Sequence, residues 1–266
     1  MTELWEVFAL KYADHNIRPR SESFLFEDDH DTQWPLDYFI WLLKNDNQYI
    51  LVDTGFDASE CRLRGRTLHE EPAALLARFG VKPELISDVI ITHMHYDHAG
   101  SITDFMHATF HLQEVEMQYA TGPCMCHGVL RKPFTVEHVC NMVRQLYDGK
   151  VKFYNGSAQV APGVEVHLIG GHSRGLQCVR VKTRRGWVVL ASDASHYYEN
   201  FMQRKPFPIV VDLEDMLKGF ETIQSLADSS QHIIPGHDPS VRAIYQPVTE
   251  GDDSIIRLDV PPTKSS

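Results

Sequence analysis

His93-Met94-His95-Tyr96-Asp97-His98 follows directly on the apolar run Val89-Ile90-Ile91. Four side chains able to ligate a metal fall within six positions. Packing alone does not ask for that density, because each buried imidazole or carboxylate needs a polar partner. His93 by itself reads as an ordinary core histidine. The run as a whole reads as a metal site on a loop at the end of a strand, where a rigid sheet holds functional side chains in place.

Three more candidates share that strand-end context. His172 follows Gly170-Gly171, Asp193 follows Val188-Val189-Leu190-Ala191-Ser192, and His237 follows Ile233-Ile234-Pro235-Gly236. Singly, each could equally serve packing. The neighbouring glycines would let backbone approach a metal closely. Imidazole nitrogen and carboxylate oxygen suit zinc, and also manganese, iron or cobalt. No cysteine stands among these positions, which disfavours a structural thiolate site. His93, His95, Asp97, His98, His172, Asp193 and His237 are too many for one four-coordinate ion. They suit two ions sharing the Asp193 carboxylate, with a position left for water.

The rest of the chain reads as alternating strands and helices. Strands are expected over 4–10, 38–43, 48–52, 88–92, 108–112, 151–154, 164–169, 176–182, 187–192 and 232–234, by apolar runs bounded by turn residues. The turn at 44–47 joins the second and third. Helices are expected over 72–79, closed by Gly80, over 113–120 and over 134–147. Another follows Asp212, a predicted N-cap, with Leu213, Met216, Leu217, Phe220 and Leu226 near helical spacing. Residues 13–35 read as a long loop. The pattern predicts a layered α/β protein with two mixed sheets. It forms a single domain over 1–250, with an insertion near 121–150 and a loose, polar, proline-bearing tail over 251–266.

Composition narrows the function. With 266 residues the chain can bury a large core, and 43% hydrophobic residues place it among ordinary globular proteins. The net charge of −11, with no cluster of Lys and Arg, argues against nucleic acid. No apolar stretch approaches the ~20 residues of a membrane helix. The start, Met1-Thr2-Glu3-Leu4-Trp5-Glu6, lacks the basic and apolar regions of a signal peptide, which favours the cytoplasm. The five cysteines, Cys61, Cys124, Cys126, Cys140 and Cys178, read as buried thiols rather than a disulfide framework. Cys124-Met125-Cys126-His127 is tighter than a C-x2-C zinc pair, and no second pair follows.

The pattern His93-x-His95-x-Asp97-His98 resembles the signature of the metallo-β-lactamase superfamily. Asp53-Thr54-Gly55 is similar to the aspartate turn those proteins carry upstream. Gly171-His172-Ser173-x-Gly175 is similar to their second motif, Ser192-Asp193 to the bridging aspartate, and Gly236-His237 to the last histidine. The spacings after His172, 21 and then 44 residues, resemble the N-acyl-homoserine lactonase branch. The resemblance implies an αββα four-layer sandwich with helices outside two mixed sheets. It implies His93, His95 and His172 on one Zn2+ and Asp97, His98 and His237 on a second, with Asp193 bridging and Asp53 orienting a ligand histidine. It further implies a lactonase that opens a small cyclic ester by attack of a hydroxide shared between the metals, and a quorum-quenching role. Asp97 or Asp193 would relay the proton. A small-molecule lactone is then the expected partner, with no nucleic acid or membrane, and a homodimer stays compatible.

This chain departs from that branch at one catalytic position. The lactonases carry a tyrosine three residues after the bridging aspartate, where its hydroxyl meets the substrate carbonyl. Here His196 stands there, followed by Tyr197 and Tyr198. His196 or Tyr197 is the expected donor. The stretches 201–202 and 206–208 and the insertion supply apolar candidates for a pocket wall, and Arg174 is a candidate for a substrate carboxylate. Hydrolysis of another ester, a thioester or a lactam is the neighbouring reading, and a non-catalytic metal-binding sensor the alternative from another class. A glutathione thioesterase would need a basic recognition site, for which Arg204 and Lys205 are weak candidates. A flavodiiron protein would carry glutamate where His95 stands.

Overall fold

A computed structural model describes residues 3–46 and 48–263. Its strands are β1 (Glu6–His15), β2 (Leu36–Lys44), β3 (Tyr49–Val52), β4 (Thr67–Leu68), β5 (Asp88–Ile90), β6 (Thr109–Gln113), β7 (Val151–Tyr154), β8 (Ala158–Ala161), β9 (Val164–Leu168), β10 (Gln177–Thr183), β11 (Gly186–Ser192), β12 (Ile233–Pro235), β13 (Gln246–Thr249) and β14 (Asp252–Arg257). Its α-helices are α1 (Ala58–Arg64), α2 (Pro72–Arg78), α3 (Glu114–Ala120), α4 (Gly128–Arg131), α5 (Val136–Tyr147), α6 (Tyr198–Gln203), α7 (Leu213–Leu226) and α8 (Ser240–Ile244).

One sheet runs β13-β14-β1-β2-β3-β5-β6-β7, with β4 against β1; the other runs β12-β11-β10-β9-β8. Both are mixed. β3, β5, β6 and β7 pair in parallel, as do β11 and β12, and the other pairs are antiparallel.

The layering follows from period-two burial. In β2, the stretch Leu-Asp-Tyr-Phe-Ile-Trp-Leu-Leu is buried at every position. Phe39, Trp41 and Leu43 enter a core shared with Val179, Val181, Val188 and Leu190 of the second sheet. Ile40 and Leu42 point the other way, into a core with Leu75 and Leu76 of α2 and Met142 of α5. Met216, Phe220 and Ile223 of α7 cover the second sheet. The result is the αββα sandwich, helix layers enclosing two facing sheets. Asp212 caps α7 as its sequence suggests, accepting from Asp215 N at 3.0 Å.

This topology gathers strand ends. β3, β5 and β6 are parallel, and β9, β11 and β12 run the same way as one another. Asp53 follows β3, His93 follows β5, His172 follows β9, Asp193 ends β11 and His237 follows β12. Loops far apart in sequence therefore emerge where the two sheets meet.

The structure corrects three expectations. β1 continues to His15, so part of the presumed loop 13–35 is sheet. α1, β4, α4, β8, α6, α8 and β13 have no counterpart in the sequence reading. The tail is not loose over 252–258: β14 pairs with β1 through Phe8↔Arg257, Ala9↔Ile256 and Leu10↔Ile255. Ile256, Leu258 and Asp259 are buried, and Asp259 accepts from Arg257 Nε at 2.9 Å. Only Ile255-Ile256 marks this strand among polar neighbours, which is why composition hides it. Residue 47 of the expected turn and residues 264–266 of the tail lie outside the described residues.

Ile256→Ala should lower unfolding free energy by about 2–5 kcal/mol in urea, the usual cost of truncating a buried aliphatic side chain. A change near zero would mean the segment contributes nothing to the sheet.

Candidate metal centre

Asp53 is the anchor of the first loop. It sits at φ +61°, a left-handed conformation unusual for a residue other than glycine. Its carboxylate accepts from Thr92 N (2.8 Å), Thr92 Oγ1 (2.8 Å) and His98 Nδ1 (2.7 Å). Thr54 N donates to the His98 carbonyl at 2.8 Å. Both ends of the 92–98 loop thus hang from the end of β3. Ser192, also left-handed at φ +47°, places its hydroxyl 2.8 Å from Thr92 Oγ1 and ties this loop to the other sheet.

The ligand candidates converge on Asp193. Its Oδ2 lies 3.1 Å from His172 Nε2 and 3.8 Å from His93 Nε2. Its Oδ1 lies 3.0 Å from His237 Nε2 and 3.2 Å from His98 Nε2. Asp97 Oδ2 is 3.7 Å from His98 Nε2 and 3.9 Å from His237 Nε2. Ligand atoms of His93, His95 and His172 lie within 4.8 Å of one another, as do those of Asp97, His98 and His237. All seven side chains are buried.

The second ring nitrogens show what the first are for. His98 Nδ1 donates to Asp53, His172 Nδ1 to the Ile209 carbonyl at 2.7 Å, and His237 Nδ1 to the Asp37 carbonyl at 2.8 Å. A proton held on Nδ1 leaves Nε2 as a lone pair. At His172 and His237 that lone pair then faces a carboxylate oxygen across 3.0–3.1 Å. Two acceptors at that separation repel unless a cation lies between them. Ligands ~2.0–2.1 Å from a tetrahedral zinc are themselves ~3.3 Å apart, so the spacing suits co-ligands of one ion. His93 Nε2, His98 Nε2 and His172 Nε2 are buried with no protein hydrogen-bond partner. The residues fit divalent ions.

The electrostatics agree at His93 and His95; at His98 burial is outweighed by the carboxylates of Asp193, Asp97 and Asp53, which hold its pKa well above the ordinary value, the pull of a site built to face positive charge. Burial, reinforced by neighbouring imidazoles, pushes His93 and His95 well below the ordinary histidine pKa, so their rings are neutral and able to ligate. Burial alone would raise Asp193. The imidazoles of His237, His98, His196 and His172 outweigh it and hold the carboxyl well below its usual range.

Residues 34–247 match the sequence profile of the family described as the Metallo-beta-lactamase superfamily. The chain belongs to that superfamily. An N-acyl homoserine lactonase of Bacillus cereus is 29% identical over 219 residues, covering 76% of this chain and 82% of that protein. A probable metallo-hydrolase of Mycobacterium bovis is 27% identical over 224 residues, covering 76% of this chain and 71% of that one. The crystal structure of a quorum-quenching N-acyl homoserine lactone lactonase superposes with a TM-score of 0.76 at 25% identity, covering 90% of this chain and 95% of the other. A lactone hydrolase with the product N-hexanoyl-L-homoserine at its catalytic metal centre superposes with a TM-score of 0.75 at 25% identity, over the same shares. This protein is therefore a metallo-β-lactamase superfamily hydrolase of lactonase-like type.

Sequence reasoning missed Glu116. It stands on α3, which follows β6 at the same sheet edge, and it is fully buried. It accepts from Met94 N (2.9 Å), Gly175 N (2.8 Å) and Ser173 Oγ (2.6 Å). One carboxylate thus clamps the loop of His93 and His95 to the loop of His172. Burial raises its pKa, and the three donors work against that rise. No spacing rule marks it, since a glutamate in the first turn of a helix is ordinary.

The glycines act differently from the expectation. A Cβ on Gly171 would lie 2.5 Å from Met216 N, and one on Gly236 2.7 Å from the Ser192 carbonyl oxygen. They let backbones approach each other, which brings His172 and His237 inward.

His196 and Tyr197 separate. His196 Nε2 donates to Asp193 Oδ2 at 2.9 Å, and its ring stacks on Phe207 at 3.7 Å. Burial pushes its pKa down to about 3, so the ring is neutral. In this geometry it holds the carboxylate rather than offering that proton to a substrate. The Tyr197 hydroxyl donates instead to the Pro35 carbonyl at 3.1 Å, and its ring packs against Phe24 and Trp34. Tyr197 does not line the cavity, which corrects its expected role as a donor.

A cavity of about 560 Å³ opens above the cluster, with His95, Asp97, His172, Asp193, His196 and His237 at its floor. Val129, Leu130 and Pro133 give the insertion a place: it is one wall. Pro133 O accepts from Tyr96 N at 2.9 Å, and Phe134 meets the His95 ring edge-on at 4.7 Å. Of the other expected wall residues, Pro208 lines the cavity, Phe207 supports His196, Phe201 is core and Met202 is exposed. Arg174 is exposed and does not line the cavity. Arg204 and Lys205 pair with Glu221 and Glu199. Cys124, Cys126 and His127 join no metal-competent cluster among the described residues. Cys61 and Cys178 are buried, Cys124 and Cys140 half-buried and Cys126 exposed, so the buried-thiol expectation holds for two of the five.

Glu116→Gln should destabilise the fold by about 1–3 kcal/mol, because one of its buried donors loses its acceptor. Metal content should fall with it. Elemental analysis and urea unfolding would check both, and retained metal at unchanged stability would refute the clamp.

Proposed function

We propose that this protein is a dimetal hydrolase, loaded with zinc or another divalent transition metal, that opens a small lactone. The observation that carries the reading is the row of outward-protonated histidines whose free nitrogens face Asp193 at the floor of a cavity. His93, His95 and His172 would hold one ion and Asp97, His98 and His237 the other, with Asp193 between them. Divalent ions held there supply Lewis acidity toward a carbonyl and a water acidic enough to be a nucleophile at neutral pH. The likeness to lactonases of 25–29% identity supports the cyclic ester as substrate class.

The chain's own groups then have separable tasks. Leu36, Val129, Leu130, Pro133, Pro208 and Ile209 line the cavity with apolar surface. They exclude water and seat the hydrocarbon part of a substrate. The Asp97 carboxylate is at the cavity floor, its backbone fixed by Tyr12 Oη donating to the Asp97 carbonyl at 3.0 Å. It would take the proton of the attacking water and deliver it to the ring oxygen. Hydrolysis adds the water oxygen to the acyl carbon, breaks the ring C–O bond and leaves a hydroxy acid. His196 is a positioning residue: it keeps Asp193 from rotating out of line.

Asp193→Ala and His172→Ala should each abolish turnover of a chromogenic lactone while far-ultraviolet circular dichroism stays native. Full activity in either variant would sink the assignment. Removal of metal with a chelator should silence hydrolysis, and back-titration with Zn2+ should restore it near two equivalents. His196→Ala should lower kcat more than it raises KM, as expected for a group felt mainly in the transition state. A change confined to KM would make it a substrate contact.

A further inference from the structure

The same cavity carries positive charge that the hydrolytic floor does not use. Arg18 and Arg66 line it, in a chain whose net charge is −11. Other arginines here find carboxylates: Arg78 reaches Asp252 at 2.6 Å, Arg257 reaches Glu6 at 2.6 Å and Arg242 reaches Asp37 at 2.5 Å. Arg66 has no ion pair among the described residues. Its donors go to neutral atoms: Nε to Tyr96 Oη (3.3 Å), Nη1 to the Arg64 carbonyl (2.9 Å) and to His15 Nε2 (3.3 Å).

Arg18 is only 6% exposed, and its Nε has no hydrogen-bond partner. The nearest carboxylate oxygen, Glu22 Oε2, is 3.8 Å away on a side chain 59% exposed, too far for a hydrogen bond. A guanidinium left with an unused, buried donor beside a cavity is costly unless a ligand supplies the acceptor. A structural role for Arg66, bracing Tyr96, explains that residue but not the empty donor of Arg18.

His15 reports the field between them. Burial comes first, and the charges of Arg66 and then Arg18 add to it, pushing His15 down to about 4 against the pull of Glu22. The subsite is also close to the chemistry. Tyr96, whose hydroxyl Arg66 contacts, lies between His95 and Asp97, and Tyr38 Oη meets Tyr96 Oη at 2.7 Å. The Tyr38 ring is 5.3 Å from that of His237.

We propose that the cavity takes a substrate bearing a free carboxylate, bound by Arg18 and Arg66, so that the bond cleaved belongs to a carboxylated lactone or ester. This rests on the hydrolytic reading of the floor. Guanidinium groups match a carboxylate in both charge and planar geometry. Water adds to the acyl carbon, the ring C–O bond breaks and the ring oxygen gains a proton. The product then carries two carboxylates and one hydroxyl.

The test compares 5-oxotetrahydrofuran-2-carboxylate with its methyl ester as substrates of the isolated, metal-loaded protein. kcat/KM should favour the acid by about 10- to 100-fold, the range for hydrogen bonds to a charged group. Arg18→Gln and Arg66→Gln should erase that preference, and Arg66→Lys should keep part of it. An equal or ester-favouring ratio in the wild type, or a preference that survives both Gln variants, overturns the proposal. If neither lactone is hydrolysed, the hydrolytic reading fails on its own account, and calorimetry with glutarate still decides the subsite. Glutarate binding weakened about 10-fold in each Gln variant supports it. Absent binding, or binding that the variants leave unchanged, overturns it.

Discussion

Taking a carboxylate out of water costs several kcal/mol unless opposite charge or hydrogen-bond donors replace the solvent. Asp193 is buried at the cavity floor, and its surroundings are arranged around that cost. His93, His98, His172, His196 and His237 all turn a ring nitrogen toward it within 3.8 Å. Each of those rings would be a poor core residue elsewhere. Here His196 donates to the buried charge, while the lone pairs of His172 and His237 face it as co-ligands that a cation would join. The strained backbone of Ser192 beside it, and the left-handed Asp53 beneath the facing loop, are the local concessions that keep the two sheets' strand ends in register at this point.

The scaffold explains why such a costly cluster persists. Six strands send their ends to one region, and buried polar groups link them, among them Asp53 to Thr92 and His98, Thr92 to Ser192, and Glu116 to Met94, Ser173 and Gly175. Asp53, Thr92, Ser192 and Glu116 are buried with their side-chain oxygens hydrogen-bonded, so none can move without orphaning a partner. Such networks favour a single geometry over slightly altered ones. That is the property a metal centre needs, because ligand positions must be set before the ion arrives.

Much of this was legible in the chain itself. The 93–98 run, the strand-end positions of His172, Asp193 and His237, and the helix behind Asp212 all follow from local pattern, and these are residues whose chemistry and spacing coincide. What stayed hidden depends on pairing between distant segments. Glu116 looks like any helical glutamate until β6 is laid beside β5. Ile255-Ile256 is too short a run to announce a strand, and only the edge of β1 makes it one. Tyr197 and His196 are adjacent in sequence, yet the turn into α6 sends one hydroxyl toward Pro35 and the other ring toward Asp193. Arg18 and Arg66 gain meaning only once a cavity brings them together.

The wall over 128–134 meets the 93–98 loop at the Pro133 carbonyl, which accepts from Tyr96 N, and at the Phe134 ring, which lies against His95. The cavity wall and the ligand cluster are thus carried largely by different stretches of polypeptide. Drift, insertion or exchange in that stretch can reshape the cavity while the ligand positions are inherited intact. A scaffold partitioned in this way is well suited to diversify, since one part can vary without disturbing the other.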